Sequence, residues 1–76
     1  MVSTNPCEIA AARARCNKIT QREVADALGI SFDAYRKREN GVVEFSNEQQ
    51  IKMMELLGMT LKQFNDAFYD GKLPIK

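Results

Sequence analysis

The chain has no histidine and only two cysteines, two prolines and four glycines in 76 residues. Without histidine the commonest general base and metal ligand is missing, and neither thiol has an identifiable base partner, so nucleophilic catalysis lacks its parts. No glycine-rich phosphate loop and no carboxylate pair at a cleft can be assigned, and the shortage of ligands argues equally against a metal or other cofactor. The expectation is a protein that is not an enzyme. Cys7 and Cys16 stand nine positions apart on one expected helix, about 13 Å at 1.5 Å per residue, too far for a disulfide. Both are expected to be reduced, Cys16 in the core. No run of about 18 apolar residues occurs, and residues 1–5 show no basic region followed by an apolar one. Neither a membrane span nor a signal peptide is expected, and the expected compartment is the cytoplasm.

Charge of one sign is also scarce, since the net charge is +1, which argues against a strongly basic coat for nucleic acids. Its distribution is uneven. Residues 13–38 carry seven basic side chains against three acidic ones, or +4, while residues 39–76 carry four against six, or −2. One end of the molecule is therefore suited to face an anion, although a solvated helix face has the same look. Hydrophobic residues at 45% and charged residues at 28% are those of an ordinary soluble globule. A single domain of this length buries only roughly 60% of its unfolded surface, so its stability margin is thin and a dimer contact would widen it.

Five helix starts are legible from capping chemistry, because the first N–H groups of a helix need acceptors. Asn5-Pro6-Cys7-Glu8, Thr20-Gln21-Arg22-Glu23, Ser46-Asn47-Glu48-Gln49 and Thr60-Leu61-Lys62-Gln63 each have the form of a full capping box, and Ser31 offers a simpler cap. Gly29, Gly41, Gly58 and Gly71 each follow an apolar-periodic stretch and mark helix ends. The helices are expected at 6–16, 20–28, 31–39, 46–57 and 60–70, in a compact all-α bundle, with residues 1–5 and 71–76 as tails around a 6–70 domain. Apolar stripes are expected from Ile9, Ala12 and Cys16; from Val24, Ala25 and Leu28; from Ile51, Met54 and Leu57; and from Leu61, Phe64 and Phe68. Met53, Met54 and Met59 read as gap-filling core or partner-facing surface.

The stretch from Thr20 to Gly41 holds two short helices separated by Gly29-Ile30-Ser31. Such a pair crosses steeply, so a small residue belongs at the crossing and a residue tolerant of positive φ in the turn. Ala25 and Gly29 stand there, with Val24, Leu28, Ile30 and Tyr35 as the apolar wedge. With Thr20-Gln21, Val24-Ala25, Leu28-Gly29-Ile30-Ser31, Glu39-Asn40-Gly41 and Leu57-Gly58-Met59-Thr60-Leu61 in this order, the sequence resembles the helix-turn-helix family of phage Cro proteins and lambda-type repressors. That large bacterial group is also typified by the xenobiotic-response-element regulators. The resemblance covers roughly residues 9–66.

It implies a five-helix lambda-repressor-like DNA-binding domain whose residues 31–39 lie in a major groove, with Phe32, Asp33, Arg36 and Lys37 reaching base edges. Arg36 or Lys37 can donate to guanine O6 and N7. Phe32 either packs on a thymine methyl or closes the turn from the core, and Asp33 either accepts from cytosine N4 or caps the helix. Gln21, Arg22 and Arg38 are the phosphate candidates, contacts that set register and make affinity salt-dependent. In the family an arginine of the first helix commonly pairs with the glutamate matching Glu39. Arg13 fills that place if the first turn holds one extra residue, and Arg15 is the other candidate.

Two departures from the family pattern stand out. Arg38 occupies a usually apolar position and either lays its stem over the core or points at DNA. The loop Val42-Val43-Glu44-Phe45, often basic in similar proteins, carries an acid and three apolar residues suited to a partner. The resemblance implies a transcriptional regulator, expected as a repressor that binds a palindromic double-stranded DNA operator as a homodimer and is nucleoid-associated when bound. Met59, Phe64, Phe68 and Tyr69, with Leu73-Pro74-Ile75, exceed what the last helix needs and are the expected dimer seam. No ligand-sensing or cleavage domain is present in the 76 residues, so control by concentration, with no small-molecule ligand, is the expectation. The rival reading is an antitoxin or protein-interaction adaptor on the same fold; three cations in the Arg36-Lys37-Arg38 run weigh against it.

Overall fold

A computed structural model describes residues 2–74. Five helices follow one another: α1 Pro6–Arg15, α2 Gln21–Leu28, α3 Phe32–Glu39, α4 Asn47–Leu56 and α5 Leu61–Tyr69. Each lies inside the expected span, because the capping residues stand in extended backbone just outside the helix. Thr20 with Glu23, Ser46 with Gln49 and Thr60 with Gln63 form complete capping boxes. Ser31 accepts from Ala34 N at 3.1 Å.

The box expected at Asn5 is only half made. Asn5 Oδ1 accepts from Cys7 N at 3.0 Å, but Asn5 N donates to Ala67 O at 2.8 Å, which leaves Glu8 nothing to accept. Ser3 N similarly donates to Phe68 O at 2.6 Å. Ala67 and Phe68 belong to the last turn of α5, whose carbonyls have no partner within the helix. Residues 2–5, expected as a tail, thus run beside the end of α5 and satisfy it. The other tail is held as well, since Asn65 accepts from Leu73 N at 2.9 Å and donates to Leu73 O at 3.1 Å. Ile75, expected in the dimer seam, lies outside the described residues.

The core draws on every helix. Ile9 and Ala12 of α1, Val24, Ala25 and Leu28 of α2, Tyr35 of α3, Met53 of α4, and Ala67 and Phe68 of α5 are all buried. The α4 stripe is rotated from its expected position. Ile51 is 53% exposed, and the buried positions are Gln50, Met53 and Leu57. Gln50 tolerates burial because both ends of its amide are satisfied: Nε2 donates to Phe45 O at 3.0 Å and Oε1 accepts from Tyr69 Oη at 2.6 Å. Leu61, expected inside, is 57% exposed in the first turn of α5. Phe45, expected to face a partner with Val42 and Val43, is buried edge-on against Phe68 at 5.5 Å.

α2 and α3 pack against each other across the Gly29-Ile30-Ser31 turn. Ala25 is fully buried, Ile30 N returns to Ala25 O at 3.1 Å, and Gly29 takes φ 72°. A Cβ at Gly29 would meet no atom within 4 Å, so it is the left-handed backbone that calls for glycine, and not lack of space. Between α1 and α2, Asn17 and Lys18 are both left-handed, at φ 53° and 56°.

Ala25→Leu is expected to overpack the crossing and cost about 1–3 kcal/mol, read as a lower midpoint in thermal unfolding. An unchanged midpoint would mean that the helices cross elsewhere.

Candidate nucleic-acid interface

The last residue of α3, Glu39, turns its carboxylate inward and is 4% exposed. Its Oε1 accepts from Arg13 Nε at 3.0 Å and from Tyr35 Oη at 2.7 Å, and its Oε2 accepts from the Gln21 amide. Arg13 also reaches Ile19 O at 3.4 Å. Of the two arginines that the sequence leaves open, Arg13 makes the bridge and Arg15 is exposed. Burial, with the hydrogen bond to Glu39, pushes the Tyr35 phenol well above its usual range. Tyr35 therefore stays protonated and donates. A carboxylate at a helix C-terminus faces the negative end of the dipole, and these three donors, from α1, α2 and α3, offset that.

The opposite face of α3 is open to solvent. Asp33 and Lys37 form an exposed ion pair at 3.3 Å. Ser31, and not Asp33, accepts the cap hydrogen bond of this helix. Phe32 is half-buried and bears two guanidiniums, with Arg22 Cζ at 4.6 Å and Arg36 Cζ at 5.7 Å from the ring centroid. The ring is thus neither core nor open surface. Arg36 is exposed. Arg38 is half-buried; its Nη1 donates to Ala34 O at 3.0 Å within its own helix, and its Nε is buried without a partner. Of the two placements that the sequence leaves open for Arg38, its stem lies inward.

Among the phosphate candidates Arg22 is exposed, while the Gln21 side chain is half-buried and bound to Glu39. The expected dimer seam requires correction. Met59 and Phe68 are 6% and 0% exposed, held in the protomer's own core. Phe64 and Tyr69 are half-buried, with Phe64 5.2 Å from Phe68 and 5.8 Å from Tyr69 between ring centroids. Among the described residues the exposed large apolar ones are instead Val42, Val43, Ile51 and Leu61. Sequence reasoning also passed over Gln50, Asn65 and the stack of Arg22 and Arg36 on the Phe32 ring. Only the Phe32–Arg36 half of that stack leaves a sequence signal, as a pair one helical turn apart.

The arrangement is a short helix about 10–12 Å across with side chains, fixed from behind by a buried node and presenting Asp33, Arg36 and Lys37 outward, with Arg22 and the half-buried Phe32 beside them. A major groove about 12 Å wide accepts such an object. Among the described residues no group of acids and thiols could hold a metal ion, and no helix is long and apolar enough to cross a membrane.

Glu39→Ala leaves Arg13, Tyr35 and Gln21 without their acceptor and is expected to cost about 3 kcal/mol or more, read by urea unfolding. Arg15→Ala should stay within about 0.5 kcal/mol of the parent. Equal effects of the two would dissolve the node.

A family model described as helix-turn-helix matches residues 9–64, which span α2, α3 and the node. No curated protein and no solved structure matches the chain at a significant level. With that match over most of its length and the buried node and outward α3 face in place, the chain belongs to the Cro and lambda-type repressor family of helix-turn-helix proteins and is a DNA-binding transcriptional regulator.

Proposed function

We propose that this protein is a Cro-like repressor that binds a palindromic operator as a homodimer, laying α3 of each protomer in a major groove. The observation that carries this reading is the contrast between the two faces of α3: one is locked to α1 and α2 through Glu39, while the other presents exposed Arg36 and Lys37. Base reading needs a donor held to within a fraction of an ångström and free of other partners. Arg36 meets both demands better than Lys37, whose ammonium is already paired with Asp33 at 3.3 Å.

In this reading Arg36 donates in bidentate fashion to guanine O6 and N7. Lys37 and Asp33 contact the neighbouring pair, with Asp33 accepting from cytosine N4. Arg22 and the first N–H groups of α2 hold a phosphate and fix the register. Gln21 acts on the same phosphate from its place beside Glu39. Arg38 stiffens α3 from its half-buried position.

One recognition helix spans only a few base pairs, and two related by a twofold read half-sites about 34 Å apart. Val42, Val43, Ile51 and Leu61 are exposed and Phe64 and Tyr69 half-buried, so each has apolar area from which a second copy would remove water.

Arg36→Ala should keep the fold and lose about 1–3 kcal/mol of discrimination at one base step of the half-site. Competition binding against all four bases at each position reads this. Unchanged preference at every position would remove Arg36 from the reading set.

A further inference from the structure

Phe32 opens α3 immediately after the turn at Gly29, and Arg22 lies in the first turn of α2. The crossing of the two helices brings the guanidinium of one over the ring of the other at 4.6 Å. Arg36, one turn further along α3, places a second guanidinium 5.7 Å from the same ring. The ring is half-buried and both arginines are exposed, so the anchored member of the group is the aromatic one.

A guanidinium resting on an aromatic ring is attracted through its flat face, and its N–H donors, which lie in the plane, stay free. Among the described residues neither Arg22 nor Arg36 has a carboxylate partner, in contrast to Lys37 and Lys62. Two like charges are thus gathered on one neutral platform with their hydrogen-bonding capacity unused. That geometry suits a polyanion that offers both a phosphate and a base edge.

We infer that Phe32 is a positioning residue: its ring holds Arg22 and Arg36 as one preset pair, Arg36 aimed at guanine and Arg22 at a phosphate of the same half-site. The inference rests on the reading of α3 as the recognition helix. It replaces the contact between Phe32 and a thymine methyl, because the ring that would make that contact carries the guanidiniums. Arginine is a flexible side chain, and its immobilisation opposes binding. Ordering both arginines before DNA arrives removes much of that cost, so the ring acts on affinity and on guanine preference without touching a base.

The test uses the full chain and three variants: Phe32→Leu, which keeps apolar bulk but loses the ring, and Phe32→Tyr and Phe32→Trp, which keep a ring. In the free protein the δ-methylene protons of Arg22 and Arg36 should be shifted upfield by the ring current, and the shift should vanish in Phe32→Leu. On a duplex carrying the selected site, Phe32→Leu should lose roughly five-fold in guanine preference at the Arg36 step, the size of an exposed cation–π contact. Its salt slope should fall by about one, as for one lost phosphate contact. The ring-keeping variants should restore both, and replacing each thymine of the half-site by uracil should leave wild-type affinity unchanged. Absence of the upfield shifts in the wild type, or loss of affinity on the uracil duplex, overturns the inference even if Phe32→Leu does not fold. Upfield shifts in a protein that lacks sequence preference would instead overturn the recognition-helix reading beneath it.

Discussion

Glu39 carries its carboxylate into the interior at the end of α3, where Arg13 from α1, Gln21 from α2 and Tyr35 from α3 itself converge on it. A carboxylate taken out of water is costly unless its lone pairs are met. The arrangement therefore holds only if three helices keep their places together. The turn between α1 and α2, with Asn17 and Lys18 both left-handed, is part of that requirement, since it joins the helix that carries Arg13 to the helix that carries Gln21. A small domain with a thin margin thus gains a fixed orientation for α3 from one polar node, while Ala25 and Gly29 keep α2 and α3 close enough for Gln21 to reach it.

That rigidity is what gives the outer face its function. A DNA-reading helix discriminates bases only if its donors arrive in a set geometry. Behind α3 the geometry is set by Glu39, and in front of it the Phe32 ring orders Arg22 and Arg36. The two devices are of different kinds. The node is buried, charged and satisfied, so it tolerates no vacancy, whereas the stack is half-exposed and leaves its donors free. The acidic excess of residues 39–76 lies away from this face in sequence, and the positive excess of residues 13–38 includes α2 and α3.

Much of the fold was legible because local chemistry and tertiary structure agree here. Short polar caps, the Gly29 turn and the small residue at the crossing are demands of the backbone, and the residues that meet them are few in kind. The misplaced positions are those where tertiary structure decides. Gln50 and Asn65 are polar yet buried, because each finds partners outside its own helix or at its end: Phe45 and Tyr69 for Gln50, Leu73 for Asn65. The inward turn of Gln50 carries its neighbour Ile51 outward, contrary to its hydrophobicity. Met59 and Phe68 read as surplus only while the contribution of α5 to the core was underestimated. The half-made cap at Asn5 depends on a hydrogen bond to Ala67, more than sixty residues away, which no local pattern can announce. At the interface, Arg36 and Lys37 stood out as charge on a recognition helix with a ring and an acid one turn before them, but the second guanidinium on that ring, Arg22, is brought there only by the packing of α2 against α3.

The most direct test of the account is selection from a random-sequence duplex pool across a series of salt concentrations. A dimeric regulator with α3 in the major groove should recover a palindrome whose half-sites lie one helical turn apart, with affinity that falls steeply as salt rises. Recovery of no sequence, or binding indifferent to salt, would contradict it and turn attention to a protein partner for the same face.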